Sequence, residues 1–219
     1  MKNRVCVIIP AYNEEKTIQD VLRVVQSSDL VQEIIVVSDG STDATVARAR
    51  ETGVTVFERK RQHGKGQAFL FGLTKTDADV LLFLDADLLG LTCEHIEQLV
   101  SPVLSGARVM NVGIRNRGTI NLWLARHLPL VSGERALRRE VIEAIAPEFL
   151  HGLMVETALN YCCRINQLPY GSVVLKDLRM VTKYQKVGLF KGVIQYIGMA
   201  FEVFQAHLAI RIANLLGKF

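Results

Sequence analysis

Four short apolar runs recur in the first 84 residues: VCVII (5–9), EIIVVS (33–38), VTVFE (54–58) and VLLFL (80–84). Runs of this length, rich in Val, Ile, Leu and Phe, predict strands buried on both faces. Between and after them the apolar positions change period. Ile18, Val21, Leu22 and Val25 follow Glu14 and Glu15 at helical spacing, and Ile96, Leu99, Val100, Val103 and Leu104 do the same after Asp87. STDATVARARETG predicts another helix, with Ser41, Thr42 or Asp43 as its N-cap and Gly53 as its stop. Four βα repeats at the start of a chain predict an α/β fold, a mostly parallel sheet flanked by helices with right-handed crossovers. In such sheets ligands bind beyond the carboxyl ends of the strands.

Three polar stretches fall at those ends: PAYNEE (10–15), SDGSTD (38–43) and DAD (85–87). Any strand-to-helix turn favours Asp, Gly, Ser and Thr, so SDGSTD alone is ambiguous. The third stretch is the most unusual, because Asp85 and Asp87 follow five apolar residues directly. Ionised carboxylates beside a core segment require a cation. All three stretches should converge on one edge of the sheet. Neither a Gly-rich dinucleotide fingerprint nor a G-x-x-x-x-G-K-[ST] loop occurs, which removes the main support for a Rossmann oxidoreductase or a P-loop nucleotidase.

Composition narrows the class only slightly. With 219 residues, 49% hydrophobic and 22% charged, the chain can bury a sizeable core. A net charge of +4 suits an anionic small molecule, an acidic membrane surface or nucleic acid equally well. Cys6, Cys93, Cys162 and Cys163 form no C-x-x-C pair, so neither a disulfide nor a zinc framework is expected and a cytoplasmic location is. The first residues carry too short an apolar run for a secretory leader and read as a strand.

The order PAYNEE, SDGSTD, HGKGQAFLFG (63–72) and DAD resembles the nucleotide-sugar glycosyltransferases of the GT-A fold, the broad group that includes dolichol-phosphate mannosyltransferases. RGTINLWLARHLPLVSGERALRRE (117–140) and LMVETALN (153–160) are similar to segments of glucosyl-3-phosphoglycerate and mannosylglycerate-type synthases. The resemblance covers about the first four fifths of the chain and speaks to fold and donor more than to acceptor. It implies a GT-A (Rossmann-like) domain over residues 1–188 and a Mg²⁺ or Mn²⁺ ion held directly by Asp87, with Asp85 assisting the ion or contacting ribose. It also implies a UDP- or GDP-hexose donor lined by Pro10, Ala11, Tyr12, Asn13, Glu14 and Ala86, with Asp39 on a base edge and Lys65 reaching the nucleoside. Gly64 and Gly66 around Lys65 independently favour close backbone approach to a ligand over a merely solvated basic loop.

The acceptor side is less determined. Glu156 stands in an apolar stretch, where a carboxylate must be paired, solvent-facing or functional. The resemblance places it toward the sugar or acceptor. It would act as general base for a hydroxyl acceptor, or position the donor sugar for a phosphate acceptor that needs no base. A helix N-terminal turn would also favour a glutamate there. Gly118, Thr119, Ile120 and Asn121 match the phosphoglycerate loop of the synthases, but Thr119 and Asn121 replace an Arg and a Thr, while Arg115, Arg117 and Arg126 remain nearby. The metal-ligating His of the synthases is missing from LRMVTKYQK (178–186), which offers Thr182 and Lys183, and Leu89 stands where mannosyltransferases use Gln. His151 and His127 are substitutes of lower rank.

Residues 189–219 carry no glycosyltransferase signature. The segment is apolar, yet Lys191, Glu202, Gln205, His207 and Arg211 interrupt it, which makes it too polar for a membrane span. A self-packed helix, a homodimer helix or an interfacial helix at the inner membrane face remain open, with association between protomers favoured. The expectation is a metal-dependent transferase acting on a phosphorylated or lipid-linked acceptor, with no nucleic-acid partner. A sugar-nucleotide nucleotidyltransferase would carry a Gly- and Arg-rich loop after the first strand, and PAYNEEKT lacks it; a non-catalytic sugar-nucleotide-binding protein would not need both Asp85 and Asp87.

Overall fold

The computed structural model describes residues 3–115, 132–150 and 154–180, together with residues 208 and 211. Its elements run β1 (Val5–Ala11), α1 (Ile18–Gln26), β2 (Glu33–Asp39), α2 (Thr45–Glu51), β3 (Thr55–Arg59), α3 (Lys65–Leu73), β4 (Val80–Phe83) and β5 (Leu88–Leu89). They continue with α4 (Cys93–Leu104), β6 (Met110–Arg115), β7 (Arg135–Arg138), α5 (Arg139–Glu143), α6 (Met154–Ile165), β8 (Tyr170–Leu175) and β9 (Arg179–Met180).

Seven strands form one sheet in the order β3-β2-β1-β4-β7-β6-β8. The first four are mutually parallel, and β6 is parallel to β8. Strand β7 runs against both β4 and β6. That reversal positions the site: Arg135, the first residue of β7, lies opposite Phe83, the last residue of β4. The chain entering β7 therefore passes beside the loop leaving β4.

The four expected strands and the helices on Ile18 and Ile96 are present because each has a place to bury its apolar residues. Alternate residues of β1 serve the two faces of the sheet. Val5, Val7 and Ile9 join Ile18, Val21, Leu22 and Val25 of α1 and Ile96, Leu99 and Val100 of α4. Cys6 and Ile8 join the opposite cluster with Phe69 of α3 and Val155 and Leu159 of α6. Each large apolar side chain so buried contributes roughly 1.5–3 kcal/mol.

The α2 boundary differs from the sequence expectation. Ala44, rather than Ser41, Thr42 or Asp43, is the N-cap. Asp43 still acts at this end, its Oδ1 accepting from the Thr45 amide at 2.9 Å. Helix α4 is capped by Thr92 and His95, which form a reciprocal capping box. Strands β5 and β9 make a separate antiparallel pair in which Leu88 faces Met180, and this holds the chain just past Asp87. Among the described residues no helix is long and apolar enough to cross a membrane. Leu208 and Arg211 are exposed and helical; the rest of segment 189–219 lies outside the described residues.

Candidate active site

The carboxyl edge of β1, β2 and β4 carries the three polar stretches, which are tied together chiefly through main-chain groups. The Asn13 amide donates to Ser41 Oγ, the Glu14 amide to Thr45 Oγ1 at 2.7 Å, and the Thr42 amide to Asn13 Oδ1 at 2.8 Å. Thr17 Oγ1 donates to the carbonyl of Ala86 at 2.8 Å, which joins the first stretch to the third. Pro10, Ala11 and Ala86 are buried, whereas Tyr12 is 41% exposed. Among the side chains of this stretch Tyr12 therefore offers the open aromatic face, and Asn13 is engaged as a latch between loops.

Asp39, at the end of β2, is buried and organises the loop before α3. Its Oδ1 accepts from Arg59 at 3.1 Å, and its Oδ2 accepts from the amides of His63 and Gly64 at 3.0 and 2.7 Å. These bonds fix the backbone that delivers Lys65. Gly40 lets the same loops approach: its φ is +82°, and a Cβ there would lie 2.9 Å from the Gln62 nitrogen. Gly40→Ala should therefore cost about 1–3 kcal/mol of stability, the range for a side chain forced into a sparsely populated backbone region. Denaturant unfolding checks this; an unchanged midpoint would contradict the close approach.

Lys65 opens α3 and turns inward, so that Nζ pairs with Asp85 Oδ1. The ammonium also lies 5.4 Å from the centre of the Phe69 ring. The cation that meets Asp85 is thus, in the first instance, a lysine. Asp87, two residues on, is buried. Gly133 closes this cluster from the β7 side. A Cβ on it would fall 2.1 Å from Lys65 Nζ and 2.9 and 3.1 Å from the two Asp85 oxygens.

Glu156 lies in the first turn of α6 and is buried. Its Oε2 accepts no hydrogen bond among the described residues. Burial pushes its pKa above the usual carboxylate range, against the opposing pull of Lys65 and Arg135. For Lys65, burial pulls the pKa down, but Asp85, Glu156 and Glu134 outweigh it and the net direction is up. Arg135 is fully buried, and that burial lowers its pKa against the influence of Glu156 and Glu134. Glu134, equally buried, accepts from Arg115 at 3.2 Å and from Ser132 Oγ at 2.6 Å.

Gly133, Glu134 and Arg135 carry no role in the sequence reading. Their signal is two adjacent charges and a glycine at the head of an apolar strand, SGERAL, where burial demands partners. The expected acceptor residues Gly118, Thr119, Ile120 and Asn121 lie outside the described residues, as do Arg117, Arg126, His127, His151, Thr182 and Lys183.

No set of three or more His, Cys, Asp or Glu among the described residues forms a ready cage for a metal ion. Asp85 and Asp87 instead offer hard oxygen donors on one short loop. That donor set fits Mg²⁺ or Mn²⁺, ions held by one or two carboxylates and completed by phosphate oxygens and water.

This mostly parallel sheet, with paired aspartates at its carboxyl edge, has the architecture of the GT-A fold. The chain belongs to the family described as Glycosyl transferase family 2, whose profile matches residues 6–158. It is similar to the glucosyl-3-phosphoglycerate synthase of Mycobacterium tuberculosis, with 35% identity over 117 residues, 49% of this chain and 36% of that protein. It is also similar to the undecaprenyl-phosphate 4-deoxy-4-formamido-L-arabinose transferase of Proteus mirabilis, 30% identical over 168 residues, 65% of this chain and 51% of that one. These matches span between about a third and a half of the curated relatives' length. A crystal structure of the M. tuberculosis synthase with Mn²⁺, UDP-glucose and phosphoglyceric acid matches with a TM-score of 0.79 at 27% identity, covering 94% of this chain and 79% of the other.

Proposed function

We propose that this chain transfers a hexose from a UDP- or GDP-linked donor to a phosphate-bearing acceptor with the help of Mg²⁺ or Mn²⁺. The observation that carries the reading is the convergence of Asp85, Asp87, Lys65, Gly133 and Glu156 at the end of β4 and the entry to β7. The similarity to an enzyme crystallised with Mn²⁺, UDP-glucose and phosphoglyceric acid supports it, as does the similarity to an undecaprenyl-phosphate transferase.

Asp87 would hold the metal, and Asp85 would assist it or contact the ribose. Bound there, the metal supplies positive charge against the negative charge that develops on the departing diphosphate. Tyr12 offers its exposed ring to the base. Asp39, whose oxygens already bind the loop before Lys65, contributes chiefly by holding that loop against the nucleoside. Lys65 balances the carboxylates until the diphosphate arrives and then faces an anion. The role of Glu156 depends on the acceptor: with a hydroxyl it takes the proton, and with a phosphate it positions the sugar. Gly118, Thr119, Ile120 and Asn121 remain the proposed acceptor loop. The reaction is placed in the cytoplasm, where the free thiols stay reduced. Segment 189–219 is assigned to association between protomers ahead of contact with the inner membrane face.

The reading is tested by incubating the full chain with UDP-glucose or GDP-mannose and Mn²⁺, offering 3-phosphoglycerate or a polyprenyl phosphate, and following products by mass spectrometry. A hexosylated acceptor formed only with metal is expected; metal-independent transfer or a nucleotidyl product would contradict it.

Glu156→Gln separates stability from chemistry. A carboxyl whose folded pKa is raised contributes stability that is present below its unfolded pKa and is lost as pH rises through the folded value. Gln cannot ionise, so the variant should match the parent in acid and exceed it at neutral pH, by about 2–4 °C in Tm per kcal/mol of relief. Transfer to a hydroxyl acceptor should fall about 10²- to 10⁴-fold, the typical contribution of a general base. Thermal melts across pH check the first effect; a variant less stable than the parent at pH 8 would contradict the direction assigned to Glu156.

A further inference from the structure

Arg135 is the largest fully buried side chain among the described residues, and no step of the transfer described above uses it. Burying a guanidinium is costly unless its donors are satisfied, so what it bonds to is informative. Its Nε and Nη2 both donate to the carbonyl of Ser132, at 3.1 and 2.6 Å. Its Nη1 lies 3.5 Å from the carbonyl of Glu156 and 3.9 Å from the sulfur of Met110. Ser132 immediately precedes Gly133, whose backbone lies against Lys65 and Asp85. One guanidinium therefore joins the segment behind the metal-side carboxylate to the helical turn that carries Glu156.

The strand explains how both ends of this segment are held. Successive residues of β7 point to opposite faces of the sheet. Glu134, the residue before the strand, is anchored by Arg115 and Ser132 Oγ, while Arg135 reaches the Ser132 carbonyl and α6. Ser132 is thus gripped by its hydroxyl and by its carbonyl, and Gly133 is fixed between Ser132 and the anchored Glu134.

We propose that Arg135 is a positioning residue: it holds the Ser132–Gly133 backbone and the first turn of α6 in fixed relation, so that Glu156 meets the donor end set by Asp85 and Lys65. It touches neither substrate nor metal. The catalytic part of this inference rests on the proposed transfer reaction, whereas the mechanical part does not. A misplacement of about 1 Å between reacting groups can cost on the order of 10²-fold in rate. Loss of Arg135 should therefore lower kcat while leaving nucleotide affinity nearly intact.

Arg135→Met suits the site, because Phe83 and Val112 flank the position and Met110 lies against it. Arg135→Lys keeps a donor long enough for one carbonyl, and it serves as the second variant if Met prevents folding. In hydrogen–deuterium exchange of the full chain, residues 132–135 and 154–160 should lose protection together while β1 and β2 stay unchanged. This arm needs no activity, and unchanged exchange in either segment overturns the proposal. In the transfer assay kcat should fall about 10- to 100-fold for Met and less for Lys, with the Kd for UDP and Mn²⁺ within roughly threefold of the parent. An unchanged kcat in a loosened variant would overturn the catalytic part and leave only a structural tie. A parent with no transfer activity would refute the proposed function, and the exchange experiment would still decide whether Arg135 couples the two segments.

Discussion

Replacing Asp87 by Ala should remove the metal-dependent part of nucleotide binding and lower hexosyl transfer by at least about 10²- to 10³-fold, the scale on which loss of one preorganised charge stabiliser is felt. Asp87 is buried at the end of the four-residue connection (84–87) between β4 and the β5–β9 pair, so its position is held by strands at both ends. The substitution removes the proposed metal ligand without touching the main core, and the fold should survive. Titration of the variant with UDP in Mn²⁺ and in EDTA should give the same weak affinity in both. Retained metal dependence would move the primary ligand elsewhere.

Gly133→Ala should be the second large effect, and it should separate function from stability. The added Cβ would lie within 2.9–3.1 Å of both Asp85 oxygens and still nearer to Lys65 Nζ. Lys65 has a flexible stem and can retreat; Asp85 is short and sits at the end of a strand, so it must tilt with its loop. UDP affinity in the presence of Mn²⁺ should fall at least about tenfold, or about 1.4 kcal/mol, while the thermal midpoint moves little. A variant with parental affinity would show that Asp85 keeps its place despite a side chain at position 133.

The parts of the fold legible in the sequence were those with compact apolar runs. Strands β1, β2 and β4 announce themselves by Val, Ile, Leu and Phe runs, whereas β3, expected to be buried on both faces, is the edge strand and only partly buried. Strands β6, β7 and β8 do not read this way. The apolar residues of β7 are flanked by Arg135 and Arg138, and β8 begins Tyr-Gly-Ser. Their place depends on pairing with distant partners, Arg135 opposite Phe83 and Tyr170 opposite Met110, which local periodicity does not encode. The antiparallel insertion of β7 was invisible for the same reason.

The site divides along the same physical line. Asp85, Asp87 and the SDGSTD stretch were legible because polar residues at the ends of apolar strands need a reason to be there. The partner of Asp85 was not, since Lys65 comes from the start of α3 and was read as reaching the nucleoside, with no sign in the sequence that it meets Asp85. Asp39 was read as facing a base, yet its bonds to Arg59, His63 and Gly64 show that it also builds the loop that presents Lys65. Asn13 similarly serves to latch the first two stretches together. Glu134 and Arg135 escaped notice because charges neutralised inside a fold leave only their presence in the sequence, without their distances.

The most direct measurement of the central claim is the thermal stabilisation of the full chain by UDP, with Mn²⁺ and with EDTA. A ligand at a hundred times its Kd stabilises the folded state by about 2.7 kcal/mol, which corresponds to roughly 5–10 °C in the midpoint of a domain of this size. A shift of that order is expected with UDP or GDP plus Mn²⁺, little with the metal or nucleotide alone, and none in the Asp87→Ala variant. An equal shift in EDTA, or no shift with either nucleotide and metal together, would contradict a metal-dependent sugar-nucleotide site at the end of β4.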